Sequence, residues 1–157
     1  MTDAILFLDL DGVCNDNAFI GAALAGHGSI VSWSMDLARK TLDPARVARV
    51  QRVCDATSAS IVVVSGWRKW ATAEDIAACL RSAGLTAPVL GAVGGVKMGG
   101  DLRATATREW LAEHPDVASW CVIDDGRHAW TGTRNVERTE RDDAGRRLRV
   151  VCESVEY

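Results

Sequence analysis

The sequence predicts an α/β fold built on a mainly parallel sheet, and two observations support that prediction. Uninterrupted apolar runs at residues 4–9, 61–64, 88–93 and 120–124 are typical of strands that are covered on both faces. Segments with helical signals separate these runs, so strands alternate with helices along the chain. A length of 157 residues, with no repeat or linker, fits a single domain over residues 1–157.

The first half of the chain contains two of the predicted strands. After the strand at residues 4–9, residues 12–35 lack periodicity and are predicted to form a loop or short hairpin. Asp43-Pro44 then begins a helix, because Asp caps a helix N-terminus and Pro suits its first position. The apolar stripe of this helix is predicted to comprise Val47, Val50, Val53 and Cys54. The second strand, residues 61–64, ends at Ser65-Gly66.

The second half begins with a helix that has signals at both ends. Thr72 and Asp75 form a capping box, and Gly84 follows where a C-terminal cap belongs. Ile76, Ala77 and Leu80 are its predicted core residues. A third strand (88–93), a glycine loop (94–100), a helix (103–113) and a fourth strand (120–124) follow, and residues 135–140 and 147–152 are predicted to pair as a hairpin.

Composition and charge exclude several classes of protein. Apolar residues make up 48% and charged residues 25% of the chain, which is ordinary for a globular protein and unlike a disordered or fibrous one. No apolar run is long enough to span a membrane, and the first residues carry an acid where a signal peptide is basic. The net charge of −3 excludes nucleic-acid binding by bulk positive charge alone. Five singly spaced cysteines suggest neither disulfides nor zinc, so we expect a cytoplasmic protein that does not bind membranes.

Polar residues cluster at the predicted ends of three strands. Asp9 and Asp11 follow the first strand, Ser65 the second, and Asp124-Asp125 the fourth. In a parallel sheet, ligands bind beyond the carboxyl ends of the strands. If the three strands are neighbours, four carboxylates converge there, which is unfavourable unless a cation or a raised pKa relieves their repulsion. Carboxylate oxygens suit Mg²⁺, which also binds a substrate phosphate.

These segments resemble the motifs of the haloacid dehalogenase (HAD) superfamily of phosphohydrolases. FLDLDGV at residues 7–13 is similar to its first motif, IVVVSG at 61–66 to its second and CVIDD at 121–125 to its fourth. The resemblance covers about residues 4–128 and implies a Rossmann-like three-layer sandwich. It also implies a Mg²⁺-dependent phosphatase that works through an aspartyl-phosphate.

The resemblance implies a role for each matching residue. Asp9 would attack phosphorus, Asp11 would act as general acid and then as general base, and Ser65 would hydrogen-bond a phosphoryl oxygen. The metal ligands would be Asp9, the main-chain carbonyl of Asp11, and Asp124 or Asp125. The third motif requires a Lys or Arg before the fourth strand, for which the sequence offers two candidates. We favour Arg103, at the predicted helix start, over Lys97 in the glycine loop.

The spacing of the motifs favours a large substrate. The 55 residues between Asp9 and Ser65, and the 58 between Ser65 and Asp124, are taken up by predicted core elements, so no cap domain is expected. The segment SGWR at residues 65–68 is similar to one in a capless branch associated with RNA repair, and more loosely to the phosphatase domain of polynucleotide kinase-phosphatases. The predicted substrate-binding residues are Gly66, Trp67, Arg68 and Lys69, with Arg127 and His128 nearby and Trp67, Trp70 or Trp130 available to stack on a base.

The expected activity is hydrolysis of phosphomonoesters, with 3′-phosphate ends of RNA or DNA as the expected substrate. A phosphatase of nucleotides or other small phosphoesters is the alternative within the same class. An alternative of another class is a phosphoacceptor signalling domain, which also gathers acids at the ends of a parallel sheet. In such a domain the phosphorylated aspartate follows a middle strand of the chain, whereas here that strand ends in Ser65.

Overall fold

A computed structural model describes residues 4–28, 34–94, 102–125, 136–141 and 147–154. Six strands form one sheet in the order β3-β2-β1-β4-β6-β5. The first four strands, β1 (Ala4–Leu8), β2 (Ser60–Val64), β3 (Val89–Val93) and β4 (Ser119–Asp124), are parallel. A hairpin of β5 (Val136–Arg141) and β6 (Arg147–Ser154) extends the sheet by antiparallel pairing with β4. The predicted α/β fold with a mainly parallel sheet is confirmed.

Within the four parallel strands, β1 lies between β2 and β4 and pairs with both. Phe7 lies opposite Val62 in β2 and Val122 in β4. The condition for convergence of the carboxylates is therefore met, because the three strands that end in polar residues are direct neighbours.

Helices cover both faces of the sheet. The described residues form α1 (Asn17–Ala23), α2 (Met35–Lys40), α3 (Pro44–Thr57), α4 (Ala73–Ser82) and α5 (Leu102–Glu113), with a 3-10 helix at Gly66–Lys69. Alternate residues of β1 belong to separate cores. Leu6 and Leu8 pack in the core that includes α3 and α4, whereas Ile5 and Phe7 pack with residues of α5. Of the helices in the described segments, none is long and apolar enough to cross a membrane.

Two details differ from the sequence-based expectation. Residues 12–35 were expected to form a loop or short hairpin, but their described part contains α1 and the start of α2. Side-chain caps begin both helices: Asp16 accepts from Phe19 N at 2.8 Å and Ser34 from Leu37 N at 3.3 Å. Helices of seven and six residues are too short to show the periodicity on which the expectation relied. In α3, Val53 is 36% exposed and lies outside the buried stripe.

Candidate active site

The site lies at the carboxyl ends of β1, β2 and β4. Asp9 directly follows β1, and its backbone N–H donates to the carbonyl of Ile123 in β4 at 3.0 Å. This bond continues the β1–β4 ladder by one residue and brings Asp9 beside Asp124, the last residue of β4. The backbone N–H of Leu10 donates to Asp9 Oδ1 at 2.8 Å, which fixes the carboxylate.

Three carboxylates meet at this point and could hold a metal ion. Oxygens of Asp9, Asp124 and Asp125 all lie within 4.8 Å of one another. Asp9 and Asp124 are 2% and 1% exposed, whereas Asp125 faces solvent. An oxygen-only donor set that is partly open to solvent fits Mg²⁺, which prefers carboxylates and keeps several waters. The residues present therefore fit the predicted metal.

Arg103, in the first turn of α5, joins the two buried carboxylates. Its Nη1 donates to Asp9 Oδ2 at 2.7 Å and to Asp124 Oδ2 at 2.6 Å. Burial lowers the pKa of Arg103, but the two carboxylates together raise it by more, so its pKa lies above the ordinary value. Of the two candidates for the third motif, Arg103 thus contacts the predicted nucleophile. Lys97 lies outside the described residues.

The arginine does not fully compensate for the burial of the carboxylates. Burial, followed by the neighbouring charge of Asp124, raises the pKa of Asp9 to about 7 although Arg103 acts in the opposite direction. Burial and Asp124 also raise the pKa of Asp125. In the protein without metal, Asp9 is therefore partly protonated near neutral pH, and a bound cation would favour the ionised form needed for nucleophilic attack.

Asp11 has a different environment from that of Asp9, although only Leu10 separates them. Asp11 is exposed, and its carboxylate is not among the three that could share a metal ion. The indole Nε1 of Trp67 donates to both of its oxygens at 3.1 Å, and Asn15 Nδ2 donates to Oδ1 at 3.1 Å. The carboxylate at the mouth of the site is thus held by two neighbouring side chains.

Gly12 is required by both conformation and space. Its φ of +84° lies in the left-handed region, which side chains disfavour. A Cβ at this position would lie 1.9 Å from Asp125 Oδ2 and 2.3 Å from Asp125 Cγ. The glycine therefore allows the turn after β1 to pass directly against a candidate metal ligand.

Ser65 and the 3-10 helix after β2 form the other wall of the site. Ser65 is buried and caps this helix, its Oγ accepting from Trp67 N at 3.4 Å. Because the hydroxyl oxygen is the acceptor in this bond, the hydroxyl proton can be donated to a phosphoryl oxygen.

The four predicted substrate-binding residues differ in accessibility. Gly66 and Lys69 are exposed, whereas Arg68 Nη1 donates to the carbonyl of Ala71 at 3.1 Å. The ring of Trp67 is only 4% exposed, so it offers no face on which a base could stack. Trp70, which is 41% exposed and lies 5.0 Å from Trp67 between ring centroids, is accessible for stacking.

Sequence reasoning did not identify Asn15, which is 1% exposed and orders the turn after β1. Its Oδ1 accepts from Gly12 N at 3.0 Å while its Nδ2 donates to Asp11. An Asn four residues after an Asp is too common a pattern to reveal this role. The predicted contributions of Arg127, His128 and Trp130 fall outside the described residues.

Comparison with protein families gives a match over nearly the whole chain. The family described as "HAD domain in Swiss Army Knife RNA repair proteins" matches residues 5–152. Comparison with curated proteins gave no match, and comparison with solved structures gave none either. A HAD domain indicates a hydrolase, and most directly a phosphatase. With the fold and the motif positions described above, this match shows that the chain belongs to the family of HAD domains found in Swiss Army Knife RNA repair proteins.

Proposed function

We propose that the protein is a Mg²⁺-dependent phosphomonoesterase that works through an aspartyl-phosphate on Asp9. The observation that carries this proposal is the convergence of two further carboxylates and Arg103 around Asp9 at the carboxyl edge of the sheet. A buried carboxylate that contacts an arginine, and that a cation bound by its neighbours would keep ionised, is a suitable nucleophile for phosphorus.

In the first step, a carboxylate oxygen of Asp9 forms a bond to phosphorus as the ester P–O bond breaks. The electron pair of that bond goes to the leaving oxygen, which takes a proton from Asp11. Ser65, which can donate its hydroxyl proton, and Arg103 stabilise the phosphoryl oxygens. In the second step, water attacks the phosphorus of the aspartyl-phosphate while the bond between phosphorus and the Asp9 oxygen breaks. The electron pair of that bond returns to the Asp9 carboxylate, and Asp11 takes a proton from the attacking water. Inorganic phosphate leaves, and Asp9 and Asp11 return to their starting states.

Asp9, the main-chain carbonyl of Asp11, and Asp124 or Asp125 would hold the Mg²⁺ ion. When bound, the ion offsets the mutual repulsion of the carboxylates and the phosphate and stabilises negative charge in the transition state. Asp124 is the buried member of the acidic pair and Asp125 the exposed one, so Asp125 is the better placed to share the ion with solvent or substrate.

We propose nucleic acid with a 3′-phosphate end as the preferred substrate. The description of the matching family, a HAD domain in RNA repair proteins, supports a substrate on RNA. The helices described between β1 and β2 are the short α1 and α2 and the longer α3, and none of them forms a separate cap domain, which supports a large substrate. Lys69 and Trp70 are exposed beside this mouth and suit a backbone phosphate and a terminal base.

The test is phosphate release from matched oligonucleotides that carry either a 3′- or a 5′-phosphate, as RNA and as DNA, with Mg²⁺ or with EDTA. Asp9→Asn is the matched control, because it keeps the size of the side chain and removes the nucleophile. We expect Mg²⁺-dependent release from the 3′ end that is absent from the variant.

Each other result selects a different function. Turnover of nucleotides or an aryl phosphate, with none of either oligonucleotide, would favour the small-phosphoester alternative. Phosphorylation of Asp9 that persists for minutes without turnover would favour a phosphoacceptor domain. Release that is equal in the Asp9→Asn variant would contradict the mechanism itself.

A further inference from the structure

Trp67 contacts two functional groups that come from different strands. Its backbone N–H donates to Ser65 Oγ, and its indole N–H, at the other end of the residue, donates to both oxygens of Asp11. Ser65 follows β2 and Asp11 follows β1. A single buried residue therefore connects the predicted phosphate-binding hydroxyl to the predicted general acid.

The carboxylate of Asp11 needs these hydrogen bonds because burial does not restrict its orientation. The side chain is exposed, so without specific partners it would be free to rotate among its rotamers. Its two donors are themselves buried: Trp67 is 4% and Asn15 1% exposed, and Asn15 Oδ1 also accepts from Gly12 N. Two buried donors thus orient one exposed carboxylate.

We propose that Trp67, assisted by Asn15, is a positioning residue that holds the carboxylate of Asp11 where it can protonate the leaving oxygen. This inference rests on the proposed function, because it assigns a role within that reaction. It also replaces the base-stacking role of Trp67, whose ring is buried. Among the described residues, Oδ1 accepts from both Trp67 and Asn15, whereas Oδ2 accepts from the indole N–H alone. Oδ2 is therefore the oxygen that has room for the transferred proton.

Trp67→Phe tests this role because it keeps an aromatic ring and removes the indole donor. A misplaced general acid slows the departure of an alkoxide, whereas 4-nitrophenolate leaves without a proton. We expect kcat/KM for a 3′-phosphorylated oligonucleotide to fall about 10- to 100-fold, because a displaced general acid loses part of its contribution to the rate. The kcat/KM for 4-nitrophenyl phosphate should fall less than about threefold. The KM of the oligonucleotide should stay nearly constant.

Trp110→Phe is the matched control, because Trp110 packs on Phe7 at 5.6 Å in the other core. In Trp110→Phe, the ratio of kcat/KM for the oligonucleotide to kcat/KM for 4-nitrophenyl phosphate should equal the wild-type ratio. An equal loss on both substrates in Trp67→Phe would show that Trp67 has only a structural role and would overturn the proposal.

NMR tests the contact without relying on turnover. With the indole N–H resonances of the six tryptophans assigned, Asp11→Ala should shift that of Trp67 more than the other five. A Trp67 resonance that does not move would overturn the proposal even in a fully active enzyme. Absence of turnover by the wild type would instead overturn the proposed function, while the NMR comparison would still decide whether Trp67 holds Asp11.

Discussion

The buried carboxylate of Asp9 should make the stability of the metal-free protein depend on pH. Burial and Asp124 raise the pKa of Asp9 from 3.8 to about 7. Between these values the folded protein holds a proton at Asp9 that the unfolded chain has already lost. The free energy of unfolding therefore falls as pH rises from about 4 to 7 and becomes level above that range. Integrated between pH 5 and 8, the loss from Asp9 is on the order of 3 kcal/mol.

Urea unfolding in EDTA at pH 5, 6, 7 and 8 measures this effect. With a slope of about 1–3 kcal/mol per molar urea for a small domain, the wild-type midpoint should fall by about 1 M or more over this range. Asp9→Asn is the matched variant, because it cannot titrate and its amide oxygen can still accept from Arg103. Its midpoint should fall much less, and at pH 8 it should be the more stable of the two proteins.

The same unfolding measurement with added Mg²⁺ tests whether the ion offsets the burial of Asp9. On the proposed function, Mg²⁺ would bind the folded site and compete with the proton on Asp9, so it should stabilise the wild type more at pH 8 than at pH 5. Asp9→Asn should lose most of this stabilisation. Identical pH dependence in the two proteins would refute the inference that burial of Asp9 is costly, because the remaining groups would then account for the whole slope.

Three further results follow from the contacts of the site. Gly12→Ala should weaken Mg²⁺ binding and activity at least tenfold, because the new Cβ would displace Asp125 and the φ at this position is positive. Titration calorimetry measures the Mg²⁺ binding, and circular dichroism should show that the protein stays folded. Arg103→Ala should lower kcat about 100-fold or more, since Arg103 contacts both buried carboxylates, and Lys97→Ala should lower it less. A larger loss in Lys97→Ala than in Arg103→Ala would assign the third motif to Lys97. Thr72→Val removes the cap of α4 and should cost about 1 kcal/mol in urea unfolding without changing kcat.

The sequence was sufficient to predict the positions of the strand ends. Parallel strands carry their functional residues at one edge, so locating the apolar runs also located Asp9, Ser65 and Asp124. It did not establish the strand order, because crossover connections permit several arrangements. The central position of β1 in the structure is what brings these residues together.

The supporting contacts could not be predicted from local sequence. Trp67 and Asp11 are 56 residues apart, and their contact depends on the conformations of two turns at once. A tryptophan after SG suggested a stacking surface, but the buried ring and its hydrogen bond indicate a structural connection between strands. Asn15 was missed for a related reason, since its burial results from packing of the turn after β1.

The unequal burial of Asp9 and Asp11 supports the different roles proposed for these two identical side chains. Leu10 is fully buried between them and anchors the turn in the core. Asp9 lies inside the site, where low solvent access strengthens its interactions with Arg103 and with a cation. Asp11 is exposed, as the proposed exchange of protons with a leaving oxygen and then with water requires. A mobile carboxylate there would be a poor proton donor, so buried donors must supply the order that exposure removes. The division of roles thus follows from where the turn after β1 places each carboxylate.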